Sequence, residues 1–385
     1  MFLAKNNKKS QDIINLLFFL LPLVFLGGGI GFQIARLMIA GGFAIVLITN
    51  RVKVKKHDVL YLIFFIIYAY FIIRSHRNGI VTSIVILYMS YLWFYCNKIP
   101  FEIKRGGVDK IFQGFLFAGL VGFAYMGLMN QFVVGGKYTE NELNISNLTV
   151  PLFLSLYVIH GAIRTWQTRK HFILCILFYL LLFLIIVFLE KRGPIIFCVF
   201  AIFFALKAWT PKLKKILLIL LFLYPFYGLL LMELIVDNYD QTFGLVFERS
   251  DDFEDVDNNP RIVRLYAAEQ FISDFRLVDL VGYHKQLILT KRDDDIAHNH
   301  FHNAFLQLYY ERGLLSVVII SLLLYRYNLS GKKNSLVSKT NYAVIFFLLL
   351  VGTNESILMS GTHGELFFIL MLLFSKPLND SEKTI

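Results

Sequence analysis

The chain has 3 cysteines in 385 residues, Cys96, Cys175 and Cys198. All of them fall in or at the ends of apolar runs, so no disulfide framework staples the polar segments, and a small secreted scaffold is excluded. Charge is scarce as well: 17% of residues are Asp, Glu, Lys or Arg, against about 25% in a soluble domain. Prolines number 8, so helix breakers are few. Neither a repeat at fixed period nor a low-complexity tract is evident, which argues against solenoids and disordered tails. The N-terminal stretch lacks the pattern of a cleavable signal peptide, and its apolar run is expected to stay in the membrane.

What the chain has instead is oil. Apolar residues make up 57% of it and the mean hydropathy is +0.62, far more apolar surface than a soluble core of this size buries. An integral membrane protein follows. With 39 Phe and 20 Tyr in long runs, packed spanning helices fit better than an outer-membrane barrel, whose alternating strands have much weaker hydropathy. The expected fold is all-α and polytopic.

About twelve apolar runs are long enough, or nearly so, to cross about 30 Å of hydrocarbon. They lie near Ile13–Leu26, Ile30–Thr49, Val59–Ile73, Ile80–Tyr95, Ile111–Met129, Val150–Ile163, His171–Leu189, Pro194–Leu206, Ile216–Ile235, Gly313–Tyr325, Tyr342–Gly352 and Glu365–Phe374. Their connecting segments sort by charge. With the N-terminus in the cytoplasm, 24 Lys and Arg fall on inside segments and 5 on the short outside loops. That asymmetry is the positive-inside signal and puts both termini in the cytoplasm. The net charge of +11 is therefore an orientation signal, and a nucleic-acid partner is not expected.

One connection breaks the pattern of short loops. Residues 236–312 hold 15 of the 27 acidic side chains against 8 Lys and Arg, on the outer face. Long loops in compact domains are usually functional. The chain thus divides into a first bundle of nine spans (1–235), a large outer loop (236–312), and three last spans with a cytoplasmic tail (313–385).

Within the loop, Asn259 and Pro260 form a helix-start signal, a capping side chain followed by proline at the first helical position. Ile262, Leu265, Ala268, Phe271 or Ile272 and Phe275 follow at helical spacing. Arg261 and Arg264, three apart, share one side of the first turn. Two guanidiniums beside a helix N-terminus suit a phosphate anion. The ordinary alternative is a solvated pair balancing the acidic stretch before it.

Further on stands His298-Asn299-His300-Phe301-His302-Asn303. On a helix His298 and His302 would share a face; on a strand all three histidines would. A metal site with Asp293, Asp294 or Asp295, a free histidine as general base, and a plain polar turn are all open. Asp293 and Asp295 also form a D-x-D pattern, but no nucleotide sugar is expected outside the cytoplasmic membrane. Three basic elements share the outer face. Lys191-Arg192-Gly193-Pro194 sits at an outer turn where cations are disfavoured, Arg36 lies about two turns inside the second span, and Arg74, His76 and Arg77 form a third group. Intramembrane arginines are costly and default to functional hypotheses, although Arg36 could equally snorkel to the interface.

Many spans, one large late outer loop, Arg261-x4-Tyr266, the turn Val281-Gly282-Tyr283, and then His302-Asn303-x-Phe305-Leu306-Gln307 with Glu311-x-Gly313 resemble the O-antigen polymerase (Wzy) and O-antigen ligase family of bacterial envelope glycosyltransferases. The resemblance covers the whole topology. At residue level it covers Lys191-Arg192-Gly193 and about 260–313. It implies a catalytic base at His302, with His298, His300 and Asn303 as secondary candidates because His298-Asn299 repeats the pair. Where a second glycine is common, this chain has His284. The resemblance also implies a catalytic arginine at Arg261 and pyrophosphate contacts from Arg192 and Arg264; Lys191 beside Arg192 and the intramembrane Arg36 join that set as further pyrophosphate-binding candidates by their place at the outer face.

The implied reaction transfers a glycan from undecaprenyl pyrophosphate at the periplasmic face of the inner membrane. Acceptor and donor are lipid-linked oligosaccharides, no cofactor or metal is needed, and a Wzz-like chain-length regulator and a flippase are expected partners. Inverting transfer to a new repeat unit, as in a polymerase, is favoured over transfer to lipid A core, as in a ligase. The rival from another class is a flippase or transporter. Repeats and midplane charges, common in transporters, are not evident.

Overall fold

In a computed structural model of the chain, the described residues are 2–26, 30–49, 63, 101–128, 149–169, 171–188, 192–206, 216, 289–290, 297–298 and 336–354. The expected spans over 59–73, 80–95, 216–235, 313–325 and 365–374 lie outside them, apart from the helical residues Ile63 and Ile216.

Helix α1 (Phe2–Leu20) passes into a 3-10 helix over Leu21–Phe25. Pro22 explains the change: it has no N–H to donate to the carbonyl four residues back, and its ring crowds that carbonyl, so the α ladder stops. Leu26 closes the last turn by donating its N–H to the Leu23 carbonyl at 3.1 Å. Helix α2 (Ile30–Thr49) returns alongside. Gly42 of α2 lies against the Leu17 side chain while Arg36 reaches Val24, so α1 and α2 run antiparallel.

Helix α3 (Phe101–Leu128) contains the one described helical stretch both long and apolar enough to cross a membrane, Gly107–Leu128. At 1.5 Å per residue, 22 residues reach about 33 Å, matching the hydrocarbon thickness. Gly107 faces the Phe18 ring, and Gly114 faces the Phe19 carbonyl and Pro22. Numbers rise together along the contact, so α1 and α3 are parallel.

Helices α4 (Thr149–Thr168), α5 (Phe172–Phe188), α6 (Arg192–Leu206) and α7 (Leu336–Asn354) complete the described bundle. Pro151 is tolerated because it lies in the first turn of α4, where its missing N–H has no intrahelical acceptor to serve. Helix α4 is the hub, packing on α3, α5, α6 and α7, and most of its residues are buried. Phe112, Phe115 and Phe153 are fully buried between α3 and α4. The Phe115 and Phe153 rings tilt together at 5.2 Å. Phe204 of α6 stacks on Phe346 of α7 at 4.2 Å. Gly161 lets α5 approach so closely that a Cβ there would strike the Tyr179 ring, the small-residue packing usual between membrane helices.

The outer faces are apolar too. On α5, Ile173, Leu174, Leu177, Leu181 and Leu184 are exposed, while Leu182 and Ile186 are buried. A helix that is apolar all round and exposes leucine along its length belongs in lipid. Apolar stretches over Gln11–Phe25, Phe172–Val187, Pro194–Ala205 and Ala343–Gly352 are shorter than α3's.

Two departures from plain helix matter below. Leu289–Thr290 and Ala297–His298 form a two-residue antiparallel ladder, with Leu289 opposite His298 and Thr290 opposite Ala297. The α-helical expectation holds for the other described elements. The turn between α4 and α5 places Arg169 and His171 at φ 52° and 49°, left-handed values that cost a non-glycine residue about 1 kcal/mol or more each. Arg169 donates its N–H to the Thr165 carbonyl at 2.8 Å, and Cys175 donates to the His171 carbonyl at 3.0 Å.

Candidate functional site

Of the residues singled out from the sequence, three fall among the described ones. Arg192 is the first residue of α6, with Gly193 and Pro194 next. A proline in the first turn pre-sets the helical φ and costs no hydrogen bond. The backbone N–H groups of Arg192, Gly193 and Ile195 at that end lack intrahelical acceptors, Pro194 having no N–H to offer, and carry the positive end of the helix dipole. The expected anion-binding arginine is thus placed where the backbone also favours an anion.

His298 is the second residue of the short ladder. There it pairs with Leu289. Lys191, Arg261, Arg264, His300, His302 and Asn303 lie outside the described residues. Among the described residues no three His, Cys, Asp or Glu side chains gather into a metal-holding group.

Arg36 is 3% exposed. Its Nε donates to the Val24 carbonyl at 3.3 Å, and its guanidinium carbon sits 5.4 Å from the Phe25 ring centroid, within cation–π range. The side chain therefore secures the end of the 3-10 helix, where carbonyls lack helical partners. Rather than snorkelling, it is buried against the protein.

The structure also brings together a polar cluster that reading of the loop missed. His160 of α4, 5% exposed, places Nε2 3.0 Å from Asp109 Oδ1 of α3. Asp109 Oδ2 accepts from Arg164 Nη1 at 2.8 Å. A carboxylate only accepts, so Nε2 carries the imidazole proton and donates. Nδ1 of a neutral ring is then left to accept from the Thr340 hydroxyl of α7 at 3.5 Å. Phe112 stacks on the imidazole at 4.1 Å. Three helices from both ends of the chain thus share one hydrogen-bonded chain. A signal for it was present: Asp109 and His160 are ionisable residues within or beside apolar runs, and His160 and Arg164 are four apart, on one helical face.

Removing Asp109 would strand a buried imidazole N–H. Asp109→Ala is expected to destabilise the detergent-solubilised protein by about 1–3 kcal/mol, and His160→Ala by a similar amount. The double substitution should cost less than the two together, because the shared bond can be lost only once. Thermal unfolding of the four proteins checks this, and strict additivity would mean that the pair is not coupled.

An all-α membrane protein is the class these elements define. Residues 177–321 match the family model for O-antigen ligase (Wzy_C), which supports a likeness to the O-antigen polymerase/ligase family. The match begins in α5, takes in α6 with Arg192, runs through the whole loop with Arg261, Arg264 and the three histidines, and ends in the apolar run after Gly313. No curated protein matches the chain.

Proposed function

We propose that the protein is an O-antigen or related surface-polysaccharide polymerase, moving the growing glycan from undecaprenyl pyrophosphate to a hydroxyl of a new undecaprenyl-pyrophosphate-linked repeat at the periplasmic face of the inner membrane. The observation that carries the reading is the span of the family match: one stretch holds both the arginine at the N-terminus of α6 and the loop motifs. Surface polysaccharide synthesis on lipid-linked substrates is what the family implies.

The chemistry asks little of a protein beyond placement. The acceptor oxygen attacks the anomeric carbon on the face opposite the pyrophosphate. A new C–O bond forms as the bond from anomeric carbon to phosphate oxygen breaks, and the pair leaves on undecaprenyl pyrophosphate. Direct displacement inverts the anomeric carbon. Pyrophosphate needs no proton to leave, so fixed cations suffice for its developing charge; Arg192, Arg261 and Arg264, with Lys191, are the residues assigned to it. His302 takes the acceptor proton as general base. A Wzz-like regulator of chain length and a flippase supplying the repeat complete the pathway.

Deleting the gene separates the readings in one experiment. A polymerase null leaves lipid A core capped with one repeat on a gel of surface polysaccharide. Bare core with polymer held on the lipid carrier would instead make the protein a ligase, and absence of any repeat outside the membrane would make it a flippase.

A further inference from the structure

We propose that the turn between α4 and α5 is a binding site for the headgroup phosphate of an anionic glycerophospholipid, built from Arg169 and His171 with Trp166 as its interfacial anchor. The inference is independent of the polymerase reading.

The turn is short and its residues are costly. Helix α4 ends at Thr168 and α5 begins at Phe172, so the reversal is made in three residues. Glycine is the usual occupant of a left-handed position after a helix because it has no Cβ to clash. Here Arg169 and His171 hold left-handed φ values with Lys170 between them in sequence. A chain that needed only to stop one helix and start another would do better with glycine at either position. The side chains are therefore what these positions supply. Three residues of chain span at most about 10 Å, which keeps two basic side chains within reach of a single phosphate group.

The surroundings match a headgroup. Both helices are apolar and end here, so the turn lies at the membrane–water boundary; on the expected orientation this is the cytoplasmic leaflet. Trp166 is 55% exposed and tilts against Phe172 at 6.3 Å, as amphipathic rings do at headgroup depth. Arg164, half-exposed, sits one turn back on α4. Its backbone carbonyl accepts from the Thr168 hydroxyl at 3.0 Å. Residues 149–189 contain no Asp or Glu, and Arg164 takes its carboxylate partner from α3, where Asp109 is bonded to both Arg164 and His160. Clustered juxtamembrane cations beside an interfacial aromatic ring attract anionic lipid.

The positive-inside rule alone would also place cations here, and two conservative substitutions tell the two apart. Arg169→Gly relieves the left-handed strain while removing a cation. His171→Asn keeps a residue that tolerates the left-handed region while removing the ring. The full-length protein is reconstituted in nanodiscs of phosphatidylcholine alone or with phosphatidylglycerol, and thermal unfolding is followed with and without added salt. The wild-type protein is expected to unfold at higher temperature when phosphatidylglycerol is present, with the shift shrinking in salt. The double variant R169G/H171N should unfold in phosphatidylcholine no earlier than wild type, yet lose at least half of the phosphatidylglycerol shift. A Lys333→Gln variant, altered at another basic segment, should keep the shift in full. A double variant that keeps the wild-type shift overturns the proposal, as does an equal shift from inorganic phosphate in detergent, which would make the ligand a free anion.

Discussion

Replacing His302 with alanine is expected to leave the protein inserted at normal levels and to reduce polymer formation by about 10²–10⁴-fold, the usual contribution of a positioned general base. The pyrophosphate leaves without a proton, so base assistance to the acceptor hydroxyl is the one proton transfer that the reaction needs. A sugar hydroxyl is a poor nucleophile at neutral pH, and an imidazole titrating near neutrality is the side chain best matched to it. Single-repeat product with no ladder of longer glycan is the expected gel pattern from a strain carrying His302→Ala. A normal ladder would remove His302 from that role, and the same assay on His298→Ala and His300→Ala would then find its replacement.

A second large effect is expected far from the loop. Gly114→Ala should destabilise the bundle by about 1–3 kcal/mol or more. A Cβ at Gly114 would run into the Phe19 carbonyl oxygen, with the Phe19 carbon and Pro22 Cδ each at 3.1 Å. Backbone cannot swing aside as the tip of a leucine can, so α1 and α3 would have to part. The better helix propensity of alanine, about 1 kcal/mol, offsets only some of this. Gly41→Ala is the control, because a Cβ there meets nothing within 4 Å and the propensity gain stands alone. In detergent, the unfolding midpoint should fall for Gly114→Ala and hold or rise for Gly41→Ala. A Gly114→Ala protein as stable as wild type would show that the α1–α3 contact yields without cost.

Much of this was legible in the chain. Helix α2 occupies Ile30–Thr49, the boundaries of the apolar run itself, and α5 and α6 match their runs within a few residues. Apolar runs report helices well because a helix satisfies its own backbone groups where the surroundings offer them no partner. Boundaries at polar ends were less legible: α3 begins at Phe101, ten residues before its apolar run, because a helix continues past the hydrocarbon for as long as its backbone bonds are satisfied. The stretch that carries the family resemblance, from Lys191 to Gly313, falls within residues 177–321, which match the family model for O-antigen ligase.

By itself the sequence determined the medium and the helical class, for both follow from composition and run length, which are local properties. It also placed the family motifs in order. Only the tertiary structure decided that Arg36 is buried and reaches Val24 and Phe25, that α4 is the hub among the described helices, and that Asp109, His160 and Thr340 meet. His160 and Thr340 are 180 positions apart. No local pattern encodes such a meeting, because it depends on how helices pack side by side, and that is settled by the summed fit of glycine notches and aromatic rings across several contacts at once.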